Sequence, residues 1–229
     1  MSGQLKAATY NIRHARGLDD KVDLDRIAQV ISDMKVDIIG LQEVDDRWPR
    51  SGSIDQALYL ADVLGMHHVF GAGFSKGSSR FGNAVLSHHP ILYCEVFRMP
   101  SSREPRALIQ TRIDVDDIIL EFYVTHLGLK TQERIDHINS IIIPTIDTVW
   151  PRILVGDFNC RPDSQEVKLL QSSLRDVCSA DGFYTYPSGQ PNERIDYIMA
   201  SEQITQQEVQ VVDSRASDHC PLAAILSLL

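Results

Sequence analysis

A layered α/β domain with at least one large β-sheet is the fold class that this 229-residue sequence predicts. Three observations carry that expectation. Apolar runs rich in Val, Ile, Tyr and Phe, each bounded by turn residues, recur from one end of the chain to the other. Segments with helical spacing interrupt the series instead of gathering at one end. No internal repeat, low-complexity tract or linker divides the chain, so one domain over residues 1–229 is expected.

The strand candidates are residues 5–12, 37–43, 67–71, 83–87, 91–97, 107–115, 118–126, 153–157, 195–200, 208–212 and 222–226. Four helices fall between them. Leu24, Ile27, Ile31 and Met34 share one helical face that Asp23 is placed to cap, and Ala57, Leu60, Ala61 and Leu64 form a second, stopped by Gly65. Thr131 is read as the cap of a third, carrying Ile135, Ile138 and Ile142 until Pro144 breaks it, and a short fourth follows Ser164.

Composition narrows the class further. Hydrophobic residues at 43% and charged residues at 23% describe a folded rather than a disordered chain. The longest apolar runs, 141–143 and 221–226, fall far short of the roughly 18 residues a membrane helix needs. Met1-Ser2-Gly3-Gln4 leads directly into a strand-like segment, so no secretory signal is expected. The four cysteines lack metal-type spacing and are too few for a disulfide scaffold, which points to free thiols and a cytoplasmic setting. A net charge of −9 argues against a protein that holds nucleic acid through a basic surface.

Function is legible at the strand ends. Side chains two apart on a strand share a face. Asp157 and Asn159 continue the parity of Ile153 and Val155, and His126 that of Leu120, Phe122 and Val124. Asn11 follows Leu5, Ala7 and Thr9, and Glu43 follows Ile39 and Leu41. Four strands thus turn a polar group onto a face that should be buried, where an unpaired carboxylate is costly and a paired or metal-bound one is tolerated. One shared polar site at one end of the core is the economical explanation. Asp196, Asp218 and His219 add to it from the last third of the chain, and the oxygen-rich set suits a hard cation such as Mg²⁺.

These residues sit in motifs that resemble the endonuclease/exonuclease/phosphatase superfamily, which includes pancreatic deoxyribonuclease, abasic-site endonucleases, neutral sphingomyelinases and inositol-phosphate 5-phosphatases. In family order they are Thr9-Tyr10-Asn11-Ile12-Arg13, Leu41-Gln42-Glu43, Gly82-Asn83-Ala84-Val85-Leu86-Ser87 and Thr125-His126-Leu127. Gly156-Asp157-Phe158-Asn159, Arg194-Ile195-Asp196-Tyr197-Ile198 and Ser217-Asp218-His219-Cys220-Pro221-Leu222 complete the series. Each motif alone is weak; all of them in order are specific.

The resemblance implies a four-layer α/β sandwich, two mixed β-sheets packed face to face with helices on both outer sides. It implies that Glu43 is the main metal ligand, with Asn11 and Asp218 nearby. It makes Asp157 the residue that aligns and deprotonates the attacking water, Asn159 a hydrogen-bond donor to nucleophile or phosphate, and His126 a contact to the phosphate or the leaving oxygen. Asp196 orients His219, which stabilises phosphoryl charge. Some abasic-site endonucleases carry an acidic residue at the position of Arg13; the arginine here removes that ligand and favours one metal.

Arg13, Asn83, Arg106 and Arg194 are the expected substrate-binding residues. Among the basic groups of the Gly/Ser/Pro-rich loops, Arg106 stands directly before a strand and is the preferred phosphate contact. Tyr184 and Tyr186 either stack on substrate or pack their own loop, and Cys160 and Cys220 are expected to pack away from the site. The reading is therefore a Mg²⁺- or Mn²⁺-dependent phosphodiesterase or phosphatase acting on a small or lipid-derived phosphate ester. A DNA or RNA nuclease is the alternative within the same chemistry. A catalytically silent binding domain is the third, and it predicts the loss of residues that are all present.

Overall fold

The computed structural model describes residues 3–101, 103–178 and 182–228. Among the described residues, twelve strands form two six-stranded sheets. The first contains β1 (Gln4–Asn11), β2 (Ile38–Asp46), β3 (His67–Lys76), β4 (Ser79–Ser87), β11 (Ile204–Val211) and β12 (Leu222–Leu228), in the order β11-β12-β1-β2-β4-β3. The second contains β5 (Ile91–Met99), β6 (Arg106–Val115), β7 (Ile118–His126), β8 (Arg152–Asp157), β9 (Arg175–Asp176) and β10 (Asp196–Ala200), in the order β5-β6-β7-β8-β10-β9. Each sheet is antiparallel except for its central pair: β1 with β2, and β7 with β8, run parallel.

Helices α1 (Leu24–Met34) and α2 (Gln56–Leu64) cover the first sheet; α3 (Thr131–His137), α4 (Ile143–Ile146) and α5 (Gln165–Leu170) cover the second. Three apolar layers join the four structural ones. Leu5, Ala7, Ile38 and Val85 meet Phe122, Val124, Val155 and Ile198 between the sheets. The opposite faces of the same strands bury Tyr10 and Leu41 under Ile27, Ile31 and Leu60, and Tyr123 and Leu154 under Ile138, Ile142 and Leu170. Central strands buried on both faces are what a four-layer sandwich requires, and the arrangement is the one the resemblance implied.

The local signals explain most boundaries. Asp23 Oδ1 accepts from Arg26 N at 2.9 Å and Ser164 Oγ from Val167 N at 3.3 Å, so both helices begin on side-chain caps. Gly65 ends α2 in the left-handed region at φ 64°. Thr131 is not a cap; it is the first helical residue, and its hydroxyl accepts from Arg134. Pro144 does not end the helix either. A π-type turn at Ile138–Ile142 precedes it, and the proline falls in the first turn of α4, where its missing N–H costs least.

Strands β3 and β4 run longer than expected because the glycines at 71, 73 and 82 resemble stops. They answer a different need. A Cβ at Gly82 would lie 2.0 Å from the Gly71 carbonyl oxygen, and one at Gly73 2.5 Å from that of Pro105. The two-residue strand β9 was too short to carry a sequence signal. No helix among the described residues is long and apolar enough to cross a membrane.

The two sheets approach closely at Gly40, where a Cβ would stand 2.5 Å from Val155 Cγ2 and 2.7 Å from Val124 Cγ2. A valine at position 40 therefore overpacks the central layer. Gly40→Val is expected to cost ~1–3 kcal/mol, read as a lower urea midpoint at unchanged slope; an unaltered midpoint would show that the sheets are not in contact here.

Candidate active site

The parallel pairs β1/β2 and β7/β8 set the site. Asn11 and His126 are the last residues of β1 and β7, Asp157 ends β8, and Glu43 lies toward the C-terminal end of β2. The carbonyl ends of the two pairs come together at one end of the sandwich. Asp196 joins from β10, paired in register with Asp157, while Asp218 and His219 lie in the segment leading into β12.

Three of these directions follow from strand parity. Leu5 and Ala7, Phe122 and Val124, and Ile153 and Val155 all face the opposite sheet, and Asn11, His126 and Asp157 continue those rows. Glu43 does not. Its parity mates Ile39 and Leu41 face the helices. A bulge between Leu41 and Val44, with Glu43 itself at φ 57°, breaks the parity and brings the carboxylate to Asn11. The same positive-φ device recurs at Asn159 (φ 51°) and in the consecutive turn Arg13, His14 and Ala15 (φ 46°, 45° and 67°). Backbone strain of this kind concentrates at functional sites.

The hydrogen bonds form one connected network. Asn11 Nδ2 donates to Glu43 Oε1 at 3.2 Å and to Asp157 Oδ2 at 3.1 Å. Asp157 Oδ1 accepts from the Asn159 backbone N–H at 2.9 Å. Asp157 Oδ2 stands 3.4 Å from His126 Nε2 and 3.7 Å from His219 Nε2. His219 Nδ1 is 2.9 Å from Asp196 Oδ2, which also accepts from the Thr185 hydroxyl at 2.5 Å. Asn159 Nδ2 donates to the Leu127 carbonyl and reaches His126 Nε2 at 3.0 Å. Arg13 Nε lies 3.4 Å from Asp218 Oδ2, and Ser217 Oγ donates to the Asn11 carbonyl.

Electrostatics separate the two histidines. Burial alone disfavours charge on both, but Asp196 and Asp157 overcome it at His219 and raise its pKa to about 10. His126 has no such support. Burial, then the Arg106 cation, then His219, hold it well below 6.5, so its ring is neutral. Burial also pushes Asp157 above the usual carboxylate range, opposed by His219, and raises Glu43, opposed by the Asn11 hydrogen bond and reinforced by nearby Asp218.

Arg106 and Asn83 reach the cluster from the side. Arg106 Nη1 is 3.4 Å from His126 Nδ1 and 2.5 Å from Glu104 Oε1, and Asn83, which donates to the Ala107 carbonyl, lines the same small cleft. Arg194 is not brought to this cluster. Its guanidinium is buried against Asp176 and the Cys178 carbonyl, with its carbon 4.8 Å above the Tyr197 ring. It precedes β10, and the loop back to Asp176, not the strand row, sets its direction.

Thr185, which carried no sequence signal, fixes Asp196, and the Tyr186 ring tilts over the His219 ring with centroids 4.9 Å apart. Their backbone neighbours complete the clamp: Ser188 N donates to the Asp218 carbonyl and Cys220 N to that of Thr185. Cys160 and Cys220 are buried free thiols. A cavity of about 1050 Å³ is lined by Arg152, Arg175 and Ser201 and lies toward the opposite end of β8, away from this chemistry.

Among the described residues, Asp157, Asp196 and His219 place ligand-type atoms within 4.8 Å of one another. Glu43, with Asn11 and Asp218 beside it, is a second oxygen set that could hold a divalent cation. Glu43 is buried with a raised pKa and its hydrogen bond comes from a neutral amide, so its charge is poorly compensated by the protein.

A four-layer sandwich with Asn, Glu, His and Asp converging at the ends of its two parallel pairs is the frame of the phosphoester hydrolases. The family match agrees: residues 8–219 match the Endonuclease/Exonuclease/phosphatase family, and this chain belongs to it. Its members are in general divalent-metal-dependent hydrolases of phosphoester bonds. The chain is 30% identical over 131 residues to protein cwh43 of Schizosaccharomyces pombe, a match over 57% of this chain and 13% of that protein. An endonuclease/exonuclease/phosphatase of Beutenbergia cavernae superposes with a TM-score of 0.85 at 25% identity, covering 98% of this chain and 72% of the other. A mannosyl-6-phosphatase of Bacteroides thetaiotaomicron superposes at 0.79 with 19% identity, over 97% and 99% of the two chains.

Two expectations follow. In metal-free protein His219 stays protonated at pH 8, visible in ¹⁵N imidazole shifts, and Asp196→Asn lowers its pKa. Because the folded value exceeds the unfolded one near 6.5, the pair stabilises the fold fully below that pH and loses its contribution as pH rises toward about 10. A neutral His219 at pH 8 contradicts this assignment. Arg194→Leu strands the buried Asp176 carboxylate and is expected to cost ~3–5 kcal/mol in stability; a variant of native stability with a raised KM would instead return Arg194 to the substrate.

Proposed function

We propose that this protein is a Mg²⁺- or Mn²⁺-dependent phosphodiesterase or phosphatase acting on a small or lipid-derived phosphate ester. The observation that carries the reading is Asp157: a buried carboxylate with raised proton affinity, fixed by Asn11 and Asn159, facing one charged and one neutral imidazole.

Glu43, with Asn11 and Asp218 beside it, would hold the cation. When bound there, a divalent ion supplies a Lewis acid that neutralises phosphoryl oxygen charge. The chain supplies the rest. Asp157 accepts the proton of the attacking water, and burial brings its pKa closer to the working pH, which suits a general base. His219, kept cationic by Asp196, donates to a phosphoryl oxygen as charge develops there. Asn159 holds the water or a phosphoryl oxygen. His126 remains neutral, because burial first and then the Arg106 cation disfavour its protonation, and it stays available to the leaving oxygen. Arg13, Arg106 and Asn83 orient the phosphate group.

The net charge of −9 favours small esters over polynucleotides as substrates. Purified protein is to be assayed with Mg²⁺, Mn²⁺ or EDTA on a chromogenic diester, a monoester, DNA, RNA, sphingomyelin and inositol phosphates. Asp157→Asn should lower kcat by ~10²–10⁴-fold with native thermal unfolding. Full retained activity would remove Asp157 from the mechanism, and cleavage confined to DNA or RNA would replace the small-ester reading by the nuclease one.

A further inference from the structure

A cavity of about 470 Å³ adjoins the catalytic cluster between the segment before β6 and the β7–α3 loop. Arg103, Glu104, Arg106, Leu129, Lys130 and Glu133 line it, together with Ser101 and Gly128. Arg106 is its shared wall with the site, since the same guanidinium reaches His126 Nδ1. Gly128 follows His126 by two residues, through Leu127, whose carbonyl anchors Asn159. A group bonded to a phosphate at His126 therefore leads toward this space.

The lining has a definite chemistry. Its charged groups are the carboxylates of Glu104 and Glu133 and the cations of Arg103, Arg106 and Lys130, so the lining offers both acceptors and donors, with one cation in excess. Two of these groups are incompletely satisfied. Arg106, its side chain only 10% exposed, keeps Nε without a hydrogen-bond partner, and Glu133 Oε1 is likewise buried and unpaired. The Glu133 carboxylate is pressed against the loop so closely that a Cβ at Gly128 would meet Oε1 at 2.5 Å. Between them Leu129 leaves an apolar side chain 65% exposed, a surface for C–H groups.

We infer that this cavity receives the alcohol half of the ester and that the alcohol is a compact polyhydroxylated one, a sugar or similar polyol. Hydroxyls both donate and accept, so they match a rim that offers both. A bare second anion would meet the carboxylates of Glu104 and Glu133 as well as the cations, and an acyl chain would leave the charged lining without partners. The volume lies within the range of small-molecule pockets. The inference rests on the phosphoester reading of the site and names its substrate class.

The test compares glucose 6-phosphate and glycerol 3-phosphate with methyl phosphate, whose leaving group does not fill the cavity. Wild type is expected to favour the polyol esters at least tenfold in kcat/KM. Leu129→Trp, which fills the cavity, should cut that preference at least fivefold, and Glu133→Gln should reduce it through KM. Hydrolysis of methyl phosphate at the same efficiency as the polyol esters, or a preference unchanged in both variants, overturns the inference and leaves the phosphoester reading standing. Hydrolysis of no ester of any class by folded, metal-supplied protein overturns both.

Discussion

One amide group joins the two halves of this molecule at its functional end. Asn11, the last residue of β1, gives its side-chain N–H groups to Glu43 of its own sheet and to Asp157 of the opposite one. Two buried carboxylates on facing sheets would repel each other and resist burial. The amide offers each a donor without adding charge, and the remaining negative charge is answered from two sides. His219 answers Asp157, and the oxygen set around Glu43 is left for a cation. Under the phosphoester reading a division of labour follows: Asp157 beside the His219 imidazole would accept a proton, and Glu43 beside the neutral amide would hold a metal.

That arrangement depends on sheet topology. A parallel pair ends both of its strands at the same edge, and here each sheet has one, placed centrally. Packing the sheets face to face brings the four ends within reach, while the close approach at Gly40 fixes their separation. The antiparallel neighbours contribute from their starts: Asp196 begins β10, and His219 precedes β12. The clamp at residues 185–188 then ties those two together. Thr185 holds Asp196, Tyr186 covers His219, and Ser188 binds the Asp218 carbonyl.

Much of this was legible in the sequence, for reasons that particular residues show. Asn11, His126 and Asp157 obey strand parity, a local rule, and the structure places them on the inter-sheet face. Glu43 reaches the same place by violating the rule, because a bulge is a tertiary adjustment that no alternation pattern records. Arg194 illustrates the converse. It stands two residues before Asp196 in a motif that resembles a substrate-binding one, yet Asp176, eighteen residues earlier in the chain, captures it. Glycines 71, 73 and 82 look like strand stops and are close-approach positions, a distinction set by neighbours remote in sequence.

Net charge and site charge are also separate matters in this molecule. Four arginines around the site are engaged by the protein's own acids: Arg50 with Asp45 at 2.7 Å, Arg80 with Asp46 at 2.5 Å, Arg106 with Glu104 at 2.5 Å and Arg13 with Asp218 at 3.4 Å. A polyanion tracking across this rim meets guanidiniums already paired with carboxylates. A compact ester that enters the site meets His219, whose charge is sustained by buried carboxylates and so is little affected by solvent screening. Under the phosphoester reading, selection therefore operates by depth. The attractive field is confined to the end of the sandwich, and what reaches it is decided by the size and hydrogen-bonding of the group attached to the phosphate rather than by its total charge.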